Sequence, residues 1–220
     1  VRKNNKIYKN PVRPYIEALD KLPFPDYDIE DHYILDGKIR KFQERDFSGQ
    51  IFFLTGRGCP NSCTYCSNKA LKQIYLNKGK ILRWHSPDYI INDILRIKKK
   101  FSSIKTIDLR DDTFFARPLE HFKEFCFKYK KIKLRLKCLA DPPSVNDKKL
   151  KLMIDAGLTD IIIGIQGEEN VNFKIYKRFI SNKQILDASK VINKYKLTVM
   201  YDVITCNPYE TSTDIVNLIK

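Results

Sequence analysis

Five short apolar runs punctuate the chain between residues 51 and 205, each followed by helical periodicity, and this alternation restricts the fold more than any other feature. The expected strands are Ile51–Thr55, Ile104–Leu109, Leu134–Leu139, Asp160–Ile165 and Leu197–Thr205. Between them, Ser86 offers an N-cap and Pro87 a first helical position for a helix over Tyr89–Phe101, with Ile90, Ile91, Ile94, Leu95 and Ile97 as its apolar face. Further helices are expected after Cys66, over Leu119–Tyr129, over Asn146–Ala156 with Gly157 as stop, over about Lys183–Tyr195, and from near Thr211. Strands alternating with helices at this spacing imply βαβ units and a parallel sheet, and runs such as Ile161-Ile162-Ile163 suit strands covered on both faces. Periodicity leaves open sheet and barrel unseparated, but in either the ligands gather at the C-terminal strand ends. The polar clusters lie there: Gly56 to Cys66, Asp111-Asp112, Asp141, Gln166 to Glu169, and Asn207 to Glu210.

Residues 1–48 read differently. Asn10-Pro11-Val12-Arg13-Pro14 and Leu22-Pro23-Phe24-Pro25-Asp26-Tyr27 favour extended backbone, so this part is expected to be a linker packed along the domain formed by residues 49–220. The apolar runs fall far short of the roughly 20 residues that span a bilayer. Net charge is +15, yet 30 of the 41 basic residues are Lys and only 11 are Arg, the residue suited to phosphate and base contacts. A nucleic-acid partner is therefore not favoured over a solvated Lys-rich surface. Six cysteines with no secretory signal at Val1 point to a reducing compartment and a cytoplasmic location. Cys126 and Cys138 lie in apolar surroundings and read as small buried hydrophobes.

Cys206 also stands alone, whereas the other three thiols cluster. Cys59-Pro60-Asn61-Ser62-Cys63-Thr64-Tyr65-Cys66 sets all three within eight residues on the loop leaving the first strand, with Gly56 and Gly58 allowing a tight turn before them. Structural zinc and iron–sulfur clusters both usually take four protein ligands, and no fourth Cys or His is near in sequence. Three thiolates would leave one metal position open to substrate.

Cys-x3-Cys-x2-Cys with an aromatic residue before the last Cys, after the first strand of a βα repeat, resembles the signature loop of the radical S-adenosylmethionine (radical SAM) superfamily. The resemblance covers residues 49–220 and implies a partial (β/α)6 barrel of TIM-like type, here expected to stop after the fifth strand, as an interior slice of a longer enzyme. It implies that Cys59, Cys63 and Cys66 hold a [4Fe-4S] cluster, that S-adenosylmethionine chelates the fourth iron, and that its reductive cleavage gives a 5′-deoxyadenosyl radical. Tyr65 then lies against the adenine. Asp111 and Asp112 stand where the family binds the methionine amino group. Gln166, Glu168 and Glu169 match the fourth-strand ribose and carboxylate motif in an altered form that leaves the role of either Glu open. Asp202, Asn207 and Glu210 belong to the fifth-strand motif, with Cys206 where Gly is usual. Arg178 matches a recurrent Arg that pairs with a carboxylate.

Leu22-Pro23-Phe24-Pro25-Asp26-Tyr27, Arg83-x-His85-Ser86-Pro87 and Asp111-Asp112-Thr113-Phe114 are similar to radical SAM proteins with an upstream cobalamin-binding domain, so cobalamin is assigned to the parent protein. No residue is singled out as a catalytic acid or base, and His85 reads as the start of a helix rather than a ligand. The family implies a reductant such as flavodoxin or ferredoxin and a small-molecule or lipid-like substrate, with methyltransferase or oxidoreductase-type chemistry. The alternatives are a tRNA-modifying radical SAM enzyme and a non-catalytic iron–sulfur electron carrier.

Overall fold

All five expected strands form, and they join one parallel sheet in the computed structural model, which describes residues 2–47 and 49–219. We label them β1 (Gln50–Phe53), β2 (Thr106–Leu109), β3 (Arg135–Ala140), β4 (Leu158–Gln166) and β5 (Thr198–Val203). Their spatial order is the chain order, with β1 and β5 at opposite edges. The helices are α1 (Ser67–Ile74), α2 (Pro87–Lys100), α3 (Leu119–Tyr129), α4 (Asp147–Ala156), α5 (Glu169–Lys174), α6 (Asn182–Ile192) and α7 (Ser212–Ile219). Ser86 caps α2 by accepting from the Tyr89 N–H at 3.1 Å, with Pro87 at the first helical position, and Gly157 ends α4 at φ 120°. The short α5 was not expected, because it lies inside the loop that follows β4.

Neighbouring helices pack in chain order, α2 on α3, α3 on α4 and α4 on α6. They bury one face of the sheet, through Ile107, Leu109, Leu136, Cys138, Ile161 and Ile163, against Ile94, Phe122, Phe125, Leu150 and Ile192. Each such side chain stabilises the fold by about 1.5–3 kcal/mol. The other face differs from the expectation of two covered faces. Register places Phe52, Asp108, Lys137, Asp160 and Thr198 in one row across it. Asp108, fully buried, accepts from Gln50 at 3.0 Å and pairs with Arg110 at 2.8 Å. A sheet with helices on one face and a mixed polar row on the other is built like a barrel wall, which separates the two architectures that periodicity left open. Cys126 and Cys138 are buried as expected, and burial pushes both thiols up in pKa.

Several side chains between Tyr15 and Phe47 touch this wall. The Tyr15 ring stacks on Tyr75, Phe24 on Tyr89 and Phe47 on Phe101, while the Tyr27 hydroxyl donates to Asp93. Two short hairpins, Arg2–Lys3 with Lys6–Ile7 and Tyr33–Asp36 with Lys38–Lys41, add local structure that the proline pattern did not suggest. Asp20 reaches the start of α2, where it accepts from the Ser86 N–H and contacts His85 Nδ1, both at 3.0 Å.

His85 and His121 are linked, His121 Nε2 lying 2.9 Å from the His85 carbonyl oxygen. Burial lowers the pKa of both imidazoles, with Arg57 and Arg117 adding to the effect at His85 and Arg117 at His121; the Asp20 carboxylate only partly opposes it at His85. Their folded pKa values therefore lie below that of a free imidazole, so the unfolded chain binds more protons just below pH 6.5. Stability is expected to be full above that pH and to fall as pH drops below it. Thermal unfolding of wild type and His121→Gln between pH 7.5 and 5 tests this; a wild-type curve no steeper than the variant's would refute it.

Candidate active site

The cysteine loop begins where β1 ends. Gly56–Arg57 pairs antiparallel with Arg83–Trp84, and the next residue, Gly58, has φ 88°. A Cβ there would stand 2.3 Å from the Ile81 carbonyl oxygen, so only glycine lets the backbone pass. Cys59 follows, half-buried; Cys63 is buried; and Cys66 is the N-cap of α1, its N–H bonded to the Cys63 carbonyl at 3.1 Å. Cys66 therefore stands at the positive end of α1. Asn68 Nδ2 approaches the Cys66 Sγ at 3.7 Å.

Lys72, one turn further along α1, locks the loop. Its ammonium donates to the carbonyls of Pro60 and Asn61 at 2.8 and 2.6 Å and to Ser62 Oγ at 3.1 Å. Sequence reading missed Lys72 because a lysine on an exposed helix carries no pattern that marks it. From the other side, the Thr64 N–H and hydroxyl donate to the carbonyls of Tyr176 and Ile175, both at 2.8 Å. The loop is thus stitched to the segment beyond β4 across more than a hundred residues.

That segment carries Arg178, which is buried. Its guanidinium lies 3.9 Å from the Cys63 Sγ and donates to the Gly164 carbonyl at 3.0 Å, while its Nε is buried with no partner. Gln166 ends β4 in the left-handed region at φ 73°, its side chain folded back over Gly164. Glu168 and Glu169, which the sequence left unranked, hold backbone. Glu168 caps α5 through the Asn170 N–H at 2.7 Å, and Glu169 accepts from the Asn182 N–H at 2.7 Å. Asn172, also missed, is fully buried and donates to the carbonyls of Ile165 and Gly167 at 3.1 and 2.6 Å, fixing the turn. Tyr65 meets Tyr176 edge to face at 5.0 Å, and burial raises its phenol pKa, with the Arg178 charge opposing. The Tyr176 hydroxyl receives a hydrogen bond from Asn207 at 3.2 Å. Glu210 lies close by, its Oε1 buried and unpaired and its carboxyl raised in pKa by burial and by Asp214.

The two aspartates after β2 part company. Asp111 turns inward, accepting from Thr55 at 2.6 Å and pairing with Arg117 at 3.3 Å, whereas Asp112 is exposed near Cys59. Burial pushes the Cys59 thiol up to about 11, partly offset by the Asn61 N–H and reinforced by Asp112 and Asp141. A bound metal cation would reverse that balance and hold the thiolate. Asp202 lies exposed on β5, in register with Gly164. Among the described residues no three His, Cys, Asp or Glu side chains converge on one metal ion. A tetrahedral zinc needs such convergence, whereas thiolates that each take a different iron of one cluster do not.

The family model of the radical SAM superfamily matches residues 53–220, from the end of β1 through the whole site. The chain belongs to the radical SAM superfamily. Its parallel sheet is the α/β partial barrel of an enzyme of this type, and the radical SAM family uses a [4Fe-4S] cluster and S-adenosylmethionine. An uncharacterized methyltransferase of Pyrococcus horikoshii is 27% identical over all of this chain, which spans 45% of that relative's length. The solved structure of the radical S-adenosylmethionine methyltransferase TsrM from Kitasatospora setae, with cobalamin and a [4Fe-4S] cluster bound, superposes with a TM-score of 0.65 at 14% identity, over 84% of this chain and 37% of that one. The cobalamin-dependent S-adenosylmethionine radical enzyme OxsB superposes with a TM-score of 0.63 at 18% identity, over 85% of this chain and 31% of that one. At these identities the likeness carries the fold. No helix among the described residues is long and apolar enough to cross a membrane.

Proposed function

We propose that Cys59, Cys63 and Cys66 hold a [4Fe-4S] cluster, that the surrounding rim binds S-adenosylmethionine, and that the chain is the radical SAM core of a cobalamin-dependent methyltransferase. The observation that carries this reading is Arg178: a buried cation beside the Cys63 sulfur with one donor, Nε, left without a partner. Such a donor next to three thiols on one loop suits an anionic ligand seated against the cluster.

When bound, the cluster supplies the electron that cleaves S-adenosylmethionine to methionine and a 5′-deoxyadenosyl radical, or supports methyl transfer with cobalamin on the parent protein. The chain's own residues bind and orient. Arg178 Nε takes the methionine carboxylate, and exposed Asp112 takes the ammonium. Asp111 holds that segment in place through Thr55 and Arg117. Tyr65 lies against the adenine. Gln166, on its left-handed turn, and Asp202, Asn207 and Glu210 border the ribose, while Glu168 and Glu169 brace the turn from behind. The upstream part of the parent protein and residues 1–48 as its linker to the core at 49–220 follow from the same reading, as does the methyl-transfer outcome, which the Pyrococcus relative's name supports.

Anaerobic reconstitution with iron and sulfide is expected to give iron–sulfur absorbance at about four irons per chain. Reduction with S-adenosylmethionine should then release 5′-deoxyadenosine, and S-adenosylhomocysteine should accumulate when cobalamin is supplied to the full-length protein. A protein that assembles no cluster, or that assembles one yet releases neither product, would overturn the reading.

A further inference from the structure

Two cavities run along the outer side of the cysteine loop and share Lys72 and Ile81. The first, about 460 Å³, lies between residues 13–22 and α1, and its wall carries Arg13, Arg57, Lys72 and Arg83 with no carboxylate among the described residues. The second, about 370 Å³, is lined by Lys72, Lys80 and Cys59 itself. Glu17 is the acidic group beside them, and its carboxylate is committed to the Lys80 N–H at 3.1 Å. The cations crowd one another: burial lowers the Arg83 pKa and Arg57 adds to this, against Tyr15 and Glu17. Arg13 and Lys80 make no side-chain hydrogen bond or ion pair among the described residues, and both are exposed. Here five cations face one groove that ends at a cysteine of the loop.

Resting on the cluster reading above, we propose that this groove is the docking surface for a small acidic one-electron carrier protein that reduces the cluster from the Cys59 side. The cations lie on separate segments and across two cavities rather than converging on one point, which matches a broad acidic surface better than a small anion. Exposed Ile16 and Leu71, with the Tyr15–Tyr75 stack between them, add the apolar and aromatic area that protein interfaces use. Lys72 is common to the groove and the loop, since its ammonium binds Pro60, Asn61 and Ser62 between Cys59 and Cys63. A donor seated there faces Cys59 directly across the cavity that this thiol lines. In that step the donor's redox centre loses one electron and the cluster gains one, with no bond formed and no proton moved.

The test uses the full-length, reconstituted protein mixed rapidly with reduced flavodoxin, with cluster bleaching as the readout. In wild type the second-order rate should fall steeply with added salt, as for steered association. In Arg13→Glu/Lys80→Glu it should fall about tenfold or more at low salt and lose most of its salt dependence. Reduction by dithionite and the thermal midpoint should not change, because neither side chain makes a hydrogen bond or ion pair to the fold or to the cysteine loop among the described residues. An unchanged flavodoxin rate in the variant would refute the docking surface. So would competition by inorganic phosphate at micromolar concentration, which would make the groove a small-anion site. Failure to form cluster absorbance before mixing would refute the cluster reading, and the docking surface with it.

Discussion

Cys63→Ala is expected to abolish cluster assembly and, with it, release of 5′-deoxyadenosine, while leaving a folded protein. Cys63 is the most buried of the three loop cysteines, at 4% exposure, and its sulfur lies against the Arg178 guanidinium. Removing it deletes a ligand from the centre of the loop and leaves Arg178 facing a cavity. Changes in groups that merely orient ligands cost roughly 10–100-fold in metal affinity, so loss of a ligand should exceed that range. Arg178→Met supplies the contrast. It should keep the cluster but weaken S-adenosylmethionine binding, because the unpaired Nε is then gone. Cys126→Ala should keep full cluster content, since that thiol packs against Met153 in the core and does not reach the loop. Iron content, absorbance and product release for the three variants check this together. A Cys63→Ala protein with wild-type iron content would sink the assignment.

The cysteine loop was legible because its chemistry is local: spacing, a preceding strand and two glycines within ten residues state it without knowledge of the fold. The five strands were legible for a similar reason, as each gathers several apolar side chains within a few residues, even where a charged one interrupts them, as Asp108 and Lys137 do. What escaped were groups whose role depends on what lies opposite. Lys72 reads as one of 30 lysines until α1 carries its ammonium over the Pro60 and Asn61 carbonyls. Asp111 and Asp112 are adjacent and chemically identical, yet the turn that follows β2 buries one and leaves the other exposed. Glu168 and Glu169 resisted ranking from sequence because the α5 turn that employs both was itself unseen. Leu95, counted on the apolar face of α2, is 46% exposed, since the helix is covered over a narrower arc than its isoleucines suggested.

Arg117→Met should destabilise the fold by about 3–5 kcal/mol, the cost of leaving a buried charge without its partner. Arg117 has no exposed side-chain surface; its guanidinium stacks on Phe114 at 4.3 Å, donates to Thr55 at 2.5 Å and pairs with Asp111 at 3.3 Å. Burial brings its pKa down to about 10, with Asp111 opposing, so it remains a cation at neutral pH. The network spans the C-terminal ends of β1 and β2, the two strand ends that carry the cysteine loop and Asp112. The Nε and NH1 groups of Arg117 are buried without partners, so among the described residues one carboxylate and one hydroxyl are the polar partners of the cation. At 2–4 °C per kcal/mol for a chain of this size, the thermal midpoint should drop by roughly 6–20 °C. Asp111→Asn alone should also destabilise, because it strands the guanidinium. Combining Arg117→Met with Asp111→Leu should recover more than half of the loss, since two apolar side chains replace a desolvated pair. That recovery separates a structural ion pair from a ligand-binding carboxylate. The double variant should regain stability without regaining wild-type S-adenosylmethionine binding if Asp111 positions Asp112. Strictly additive destabilisation in the double variant would mean that the two groups do not act as a pair.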